Sequence, residues 1–221
     1  MKFVAMLSLV LAGFAFAADT SLGHIDAVQI VPEIAGEDII CSQPFNYSAL
    51  ANGLSFLGAN GWMMADDFTY DQDAYIDFIE IWAIYAGGNP ADYNIEFRED
   101  TGGSGPGELY ESFNATGVDH TNTGLTQWGY QLWYSEITVD PQSFTGGTKY
   151  WLAMQTSGSA GNDFWLSANQ TWADMNYFSQ DNGTSWTSSQ GMWGTAYECF
   201  MILSGGTSLT RDSWGAIKTL F

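Results

Sequence analysis

Basic residues are scarce in this chain of 221 residues. It contains 5 Lys or Arg against 25 Asp or Glu, which gives a formal net charge of −20 at pH 7. Proteins that bind nucleic acid need a basic surface to displace counterions from phosphates, and adsorption to an anionic membrane also needs positive charge. The composition therefore argues against nucleic acid as a partner and against binding to an acidic membrane surface.

Cysteine and histidine are scarce too, with 2 residues of each. No CxxC motif and no Cys/His cluster is present, which argues against a zinc site and against thiol redox catalysis. His120 follows Asp119 in a polar segment that predicts a solvated loop, and no nucleophile motif accompanies it. In an oxidising compartment, Cys41 and Cys199 would form one disulfide between the start of the domain and its last strand. Two unrelated buried thiols are the alternative.

Long hydrophobic runs are absent after the N-terminus. Residues 1–17 combine a positive charge at Lys2, an apolar run and the small-x-small sequence Ala15-Phe16-Ala17, which together are typical of a secretory signal peptide. A membrane anchor is the alternative, but the run is shorter than the roughly 20 residues that span a bilayer. The sequence therefore predicts a secreted protein, extracellular or at the cell surface, without a transmembrane anchor in the mature chain.

Apolar and aromatic side chains are abundant, at 46% and 16% of residues, which argues against disorder and supplies a large core. Helical periodicity is rare, whereas two-residue alternation recurs between clusters of Gly, Asn, Asp and Ser. In one such run Ile95 and Phe97 are directed inward, and Glu96 and Arg98 outward. We therefore predict a single all-β domain over 18–206, an antiparallel β-sandwich of the jelly-roll type. Strands are expected at 74–85, 93–98, 108–113, 130–139, 149–155, 163–168, 175–179 and 196–203, whereas 41–64 shows only a weak pattern.

Several short motifs follow one another in an order that resembles a known kind of domain. They are Ala65-Asp66-Asp67-Phe68 before the strand IDFIEIWAIYAGG, the pair NIEFRED and TGGSGPGELY, then GGTKYWLAMQT, NGTSW and CFMILSG. Across about residues 41–206 this order resembles an uncharacterised family of secreted bacterial β-sandwich domains with the ADDF motif. The resemblance implies an accessory, adhesive or surface module and supplies no catalytic residues.

The C-terminal tail, residues 207–221, ends in the sequence SWGAIKTLF. Its apolar residues Trp214, Ile217 and Leu220 recur three apart, which predicts a short amphipathic helix. The tail is similar to short C-terminal segments of other secreted bacterial proteins, which implies sorting, docking or self-assembly through it. A frayed terminus is the alternative, because so short a helix is not stable alone in water.

Four acids cluster at the start of the first long strand: Asp66, Asp67, Asp71 and Asp73. Calcium takes six to eight oxygen ligands, and exported sandwiches often hold a loop with it. The window lacks the glycine that an EF-hand loop requires, so the predicted site is a structural calcium site of another kind. The alternative is that Asp66 and Asp67 cap the backbone while the other two are solvated.

Aromatic residues also cluster after residue 165, among Asn, Gln, Ser and Asp. Trp and Tyr stack on the apolar faces of sugar rings, while amides and carboxylates bond their hydroxyls. The candidate ligand-binding residues are Trp165, Trp172, Tyr177, Trp186 and Trp193. Packing in the core is the alternative for most of them, and Trp172 and Trp186 are the two expected to be exposed.

The leading hypothesis is a secreted, non-catalytic β-sandwich module with a surface, adhesive or carbohydrate-recognition role and a glycan or cell-surface partner. A structural subunit of an extracellular or envelope assembly is one alternative. A jelly-roll glycoside hydrolase is another, since such enzymes place two carboxylates in one cleft. Asp77 and Glu80 share a predicted strand, but their odd separation puts them on opposite faces unless a bulge intervenes.

Overall fold

The computed structural model describes residues 38–87, 90–103, 105–157, 162–169 and 174–207. The predicted signal peptide at 1–17 and the predicted tail helix lie outside these ranges. Within them the chain forms fourteen strands and one short α-helix, and no helix there is long and apolar enough to cross a membrane. The strands are β1 (Asp38–Gln43), β2 (Leu50–Ser55), β3 (Met63–Thr69), β4 (Ala74–Tyr85), β5 (Asp92–Asp100), β6 (Pro106–Ala115), β7 (Asp119–Gln127), β8 (Tyr130–Phe144), β9 (Lys149–Ser157), β10 (Asp163–Asn169), β11 (Tyr177–Ser179), β12 (Thr187–Ser188), β13 (Tyr197–Cys199) and β14 (Met201–Thr207), with α1 (Ser189–Trp193) after β12.

The strands form two antiparallel sheets, which confirms the predicted all-β sandwich. In sheet A, β4 lies between β14 and β8, with β1 beyond β14 and β7 beyond β8. The strand β10 pairs with the end of β4 and also with β2 and β13. Sheet B has the order β12, β11, β3, β9, β5, β6.

The core between the sheets is built from alternate residues of each strand. Sheet B contributes Ile95 and Phe97 from β5 and Leu152 from β9, all fully buried. Sheet A contributes Ile79 and Ile81 from β4. The inward direction of Ile95 and Phe97 is the one that their alternation predicts, and it leaves the even-numbered residues of β5 on the outer face of sheet B.

The outer face of sheet A carries a second apolar cluster, covered by the chain itself. Trp82 of β4 is 0% exposed; its ring stacks on Phe45 at 5.9 Å and lies 5.2 Å from the ring of Tyr134. Phe45 belongs to the link between β1 and β2, and the hairpin of β7 and β8 adds Leu125 and Trp128. Burial on both faces explains why β4 is an almost continuous apolar run.

The sequence prediction missed β7, which places His120 on a strand instead of in a loop. Among the described residues β7 pairs with β8 alone, so it is an edge strand whose polar side chains face solvent and show no apolar alternation. The ring of His120 packs against Tyr85 and Tyr93, and its Nδ1 lies 2.8 Å from Ser135 Oγ. The strands β1, β2 and β3 were also missed, because the weakly patterned segment 41–64 contains all of β2, the second half of β1 and the start of β3.

The predicted disulfide is not formed, and Cys41 and Cys199 are both free thiols. The strand register gives the reason. Cys41 on β1 lies opposite Leu203 of β14, whereas Cys199 ends β13, before the break at Phe200. Four residues separate Cys199 from Leu203, the residue opposite Cys41, and four residues of an extended strand cover about 13 Å at about 3.3 Å each. A disulfide needs Cα atoms within about 7 Å.

Candidate functional site

The outer face of sheet B combines aromatic rings with charges. On β9 and β3 the outward residues include Trp151, Ala153, Met63 and Ala65, with Ala65 directly opposite Ala153. The small alanines leave room above the sheet, which Tyr177 and Trp186 occupy. Six residues of this face form the sheet B patch: Asp67, Arg98, Lys149, Trp151, Tyr177 and Trp186.

Trp151 is the centre of the sheet B patch and is 1% exposed. Its Nε1 donates a hydrogen bond of 2.9 Å to Asp100 Oδ1, and the Lys149 ammonium lies 5.2 Å from its ring centroid. The ring of Tyr177 meets it edge to face at 5.2 Å. Three different contacts therefore hold this ring in one orientation.

Trp186 is the half-buried aromatic residue of the sheet B patch. The Arg98 guanidinium lies 5.4 Å from its ring centroid. Arg98 itself donates from Nε and Nη2 to Glu96 Oε2, at 2.7 and 2.6 Å, and from Nη1 to the carbonyl of Gly107 at 2.9 Å. The indole Nε1 of Trp186 is buried without a hydrogen-bond partner among the described residues.

The described residues include one arginine, Arg98, and one lysine, Lys149, and both lie in the sheet B patch. Lys149 Nζ lies 2.6 Å from Asp174 Oδ2 and 3.1 Å from Asp100 Oδ1. Each cation also lies over a tryptophan ring. In a chain this acidic, the gathering of both cations on one face marks that face as chemically distinct from the rest of the surface.

Asp67 is the buried acid of the sheet B patch, at 4% exposure. Its Oδ1 has no hydrogen-bond partner among the described residues. Burial raises the pKa of Asp67 to about 7; Lys149 acts to lower it, while Asp174 and Glu198 act to raise it. This carboxyl group therefore retains an unused acceptor beside the surface charges.

A glycine-rich connection, residues 101–103 and 105–107, lies along one side of the sheet B patch. Gly105, at φ +88°, approaches Tyr177 so closely that an added Cβ would lie 2.5 Å from the ring. Thr101 Oγ1 donates to the carbonyl of Gly105 at 2.8 Å, and Gly102 N donates to Asp100 Oδ2 at 2.8 Å. The backbone of this connection thus limits the space over Tyr177.

The structure brings together two of the five aromatic residues that the sequence predicts, Tyr177 and Trp186. Trp165 is a correction: it is 0% exposed in the core between the sheets, and its Nε1 donates to the carbonyl of Phe200 at 2.9 Å. Trp193 is 37% exposed, but it lies on α1 and packs against Phe178 at 5.4 Å, away from this face. Trp172 lies outside the described residues.

The four acids of the predicted calcium site are not brought together. Asp66 points into the core, where it accepts a hydrogen bond from the backbone N–H of Cys199, while Asp67 faces outward on the same strand. Asp73 accepts from the backbone N–H of Gly146 at 2.8 Å, and Asp71 is exposed in the turn before β4. The described residues hold no group of three or more His, Cys, Asp or Glu that could bind a metal ion. Calcium binding stays a prediction, without a converging ligand set at these positions.

Sequence reasoning missed the centre of the sheet B patch, Trp151, and its two cations. The sequence signal that points to the cations is their rarity, since Arg98 and Lys149 are the only Lys or Arg residues between Lys2 and Arg211. Each lies at an outward position of a strand whose other face is apolar. Alternation along each strand predicts that both side chains point outward, whereas their common face follows from the pairing of β9 with β5.

Known proteins supply no family for this chain. No protein-family model matches it, and no curated protein matches it. The resemblance to secreted bacterial β-sandwich domains therefore stays a prediction.

Proposed function

We propose that this domain is a non-catalytic recognition module that binds a carbohydrate through the sheet B patch. The observation that carries the proposal is the coincidence, on one face, of two half-buried aromatic rings with an unused donor and an unused acceptor. The rings are Tyr177 and Trp186, the donor is Trp186 Nε1 and the acceptor is Asp67 Oδ1. Sugars need both kinds of contact, because each ring has an apolar face and a rim of hydroxyl groups.

Support also comes from the rigidity of the platform. Four of the six patch residues project from β3, β9 and β5, central strands of sheet B whose other face packs in the core. Tyr177 lies on β11 and Trp186 just before β12, and both pack against this platform. Trp151 is fixed by its bond to Asp100 and by the rings and charge around it. A site built on packed strands loses little conformational entropy on binding, which favours recognition by a preformed surface.

The proposed setting is outside the cell, in line with the signal-like sequence of residues 1–17. A module that binds glycans there acts as a surface or adhesive protein when the glycan belongs to a cell or a matrix. No catalytic residue takes part in this function.

A glycan-binding screen with matched variants tests the proposal. We expect the protein to be retarded by at least one polysaccharide in affinity electrophoresis. Trp186→Ala and Tyr177→Ala should weaken that retardation about tenfold or more, because stacking and hydrogen bonding are lost together. Trp193→Ala is the control, as it removes an exposed tryptophan from a different face. Equal loss in all three variants, or no loss in either patch variant, would contradict the site.

Glycoside hydrolysis has less support. A β-bulge separates Ile76 from Phe78, so the simple argument that places Asp77 and Glu80 on opposite faces does not apply. Glu80, however, is 0% exposed beneath the apolar cover of sheet A, where it accepts a hydrogen bond from the hydroxyl group of Tyr134. A substrate therefore meets no open carboxylate pair at these two positions.

A further inference from the structure

The charges on and around the sheet B patch do not balance. The patch and its immediate neighbours hold two cations and four carboxylates, namely Arg98 and Lys149 against Asp67, Glu96, Asp100 and Asp174. At neutral pH the face therefore carries excess negative charge, even though Asp67, with a pKa of about 7, is only partly ionised there. Negative charge repels an anionic ligand that approaches the same surface, and unlike a hydrophobic contact this repulsion acts before the ligand is seated.

Neither cation is free to reverse that repulsion. The Arg98 side chain is 11% exposed, and its Nε, Nη1 and Nη2 atoms are all engaged by Glu96 and Gly107. The Lys149 ammonium is shared between Asp174 and Asp100 above the ring of Trp151. A ligand carboxylate or sulfate would have to displace one of these partners and leave a protein carboxylate unpaired beside itself.

The polar atoms left over fit a hydroxyl group. Asp67 Oδ1 accepts hydrogen bonds and Trp186 Nε1 donates one, and both are buried without a partner among the described residues. A hydroxyl group can donate or accept, so a hydroxyl group at either atom satisfies it with no change of charge. An anionic group offers only acceptors and leaves the ionised form of Asp67 unsatisfied, which adds a desolvation cost to the repulsion.

We infer that the sheet B patch selects uncharged sugar chains and excludes those that carry carboxylate or sulfate groups. This inference rests on the proposed carbohydrate binding and adds the class of ligand. Selectivity of this kind comes from repulsion of the wrong ligand as much as from attraction of the right one.

Affinity electrophoresis of the whole protein against two sets of polysaccharides tests the inference. The neutral set is β-glucan, xylan and galactomannan, and the acidic set is polygalacturonate and dextran sulfate. We expect the best neutral ligand to bind at least about tenfold more tightly than either acidic one. Equal binding of both sets, or preference for the acidic set, would overturn the selectivity while leaving carbohydrate binding in place. Failure of every polysaccharide to bind would overturn the proposed function, and the inference with it.

A charge variant locates the source of the exclusion. Asp174 is 63% exposed, so Asp174→Asn removes one repelling charge without disturbing the core. We expect this variant to bind the acidic set several-fold better than the parent and the neutral set about equally well. Asp140→Asn, which makes the same charge change at an exposed position of sheet A, is the control and should alter neither. Equal gains in both variants would show a general charge effect and would overturn the assignment to the sheet B patch.

Salt provides an independent check of the mechanism. Repulsion between surface charges is screened at high ionic strength, whereas a steric mismatch is not. We expect 0.5 M NaCl, where the Debye length is only about 4 Å, to narrow the difference between the two sets. A difference that salt leaves unchanged would assign the exclusion to shape and overturn the electrostatic account.

Discussion

Each sheet of this sandwich buries a tryptophan at the centre of its outer face, but the two faces are covered in different ways. Trp82 on sheet A lies under the apolar rings of Phe45 and Tyr134, which belong to the same cluster. Trp151 on sheet B is covered by charge, with Lys149 over its ring and Asp100 on its indole nitrogen. The comparison teaches that equal burial does not mean equal role, since an apolar cover seals a face whereas a charged cover leaves it able to exchange partners.

The same contrast applies to unpartnered polar atoms. The Nε1 atom of Trp82 has no hydrogen-bond partner among the described residues, as is also true of Trp186 Nε1. Trp82 is 0% exposed beneath its apolar cover, whereas Trp186 is half-buried as a residue although its Nε1 atom is covered. Part of the Trp186 side chain is therefore open to a ligand, and its unused donor is reached once a neighbouring side chain moves.

The largest expected loss of stability follows from a substitution in the apolar cluster on the outer face of sheet A. Trp82→Ala removes a fully buried ring and leaves a cavity between Phe45 and Tyr134, so the free energy of unfolding should fall by about 3 to 5 kcal/mol. Urea unfolding measures the change. Tyr130→Ala, on the exposed start of β8, is the control and should cost less than about 1 kcal/mol. A loss as small as the control's would mean that sheet A is not sealed by this cluster.

A pH titration of stability probes the charged side. The folded-state pKa of Asp67 is about 7, above its ordinary value of 3.8, so between about pH 4 and 7 the folded protein binds more protons than the unfolded one. The free energy of unfolding should therefore fall as pH rises through that window. Asp67→Asn should be more stable than the parent above pH 7, by at most about 4 kcal/mol, and should be equal to it near pH 4.

The control for that titration is Asp71→Asn, at an exposed turn position two residues after the end of β3. It should leave the slope of stability against pH unchanged. A residual slope in Asp67→Asn belongs to Asp66, since burial raises the pKa of that core carboxyl group as well. Identical slopes in the parent and in Asp67→Asn would show that Asp67 is ionised at low cost, and the sheet B patch would lose its buried acceptor.

The two faces also differ in how far the sequence predicts them. The apolar run of β4 predicts its bounds, because a strand buried on both faces leaves an uninterrupted signal. The alternation in β5 predicts that Arg98 points outward, since one face of sheet B is polar. Neither pattern predicts which outward residues meet. Lys149 and Asp100 come together through the pairing of β9 with β5, and register between strands distant in sequence leaves no local trace. For the same reason the neighbours Asp66 and Asp67 look like one site in sequence and lie on opposite faces of β3.

A backbone substitution tests how closely the glycine-rich connection limits sheet B. Gly105→Ala places a Cβ at φ +88° and against the ring of Tyr177, so stability should fall by about 2 kcal/mol and glycan binding should weaken as the ring moves. Gly102→Ala is a matched control, because its φ is +78° but nothing lies within 4 Å of the added Cβ. The difference between the two variants in thermal unfolding isolates the contact with Tyr177. If they are equal, that contact does not constrain the patch.

The smallest effect on stability should come from the ion pairs themselves. Lys149→Met keeps the apolar stem over Trp151 and removes the charge, so it should cost less than about 1 kcal/mol at low salt and still less at high salt. The substitution should show more clearly in the pH dependence of stability. Lys149 acts to lower the pKa of Asp67, so in Lys149→Met the fall in the free energy of unfolding should extend to higher pH. Urea unfolding across pH 5 to 9, with Lys149→Arg as the charge-conserving control, measures both. A loss near that of Trp82→Ala would mean that charge seals sheet B as firmly as aromatic packing seals sheet A, and the contrast between an exchangeable face and a closed one would not hold.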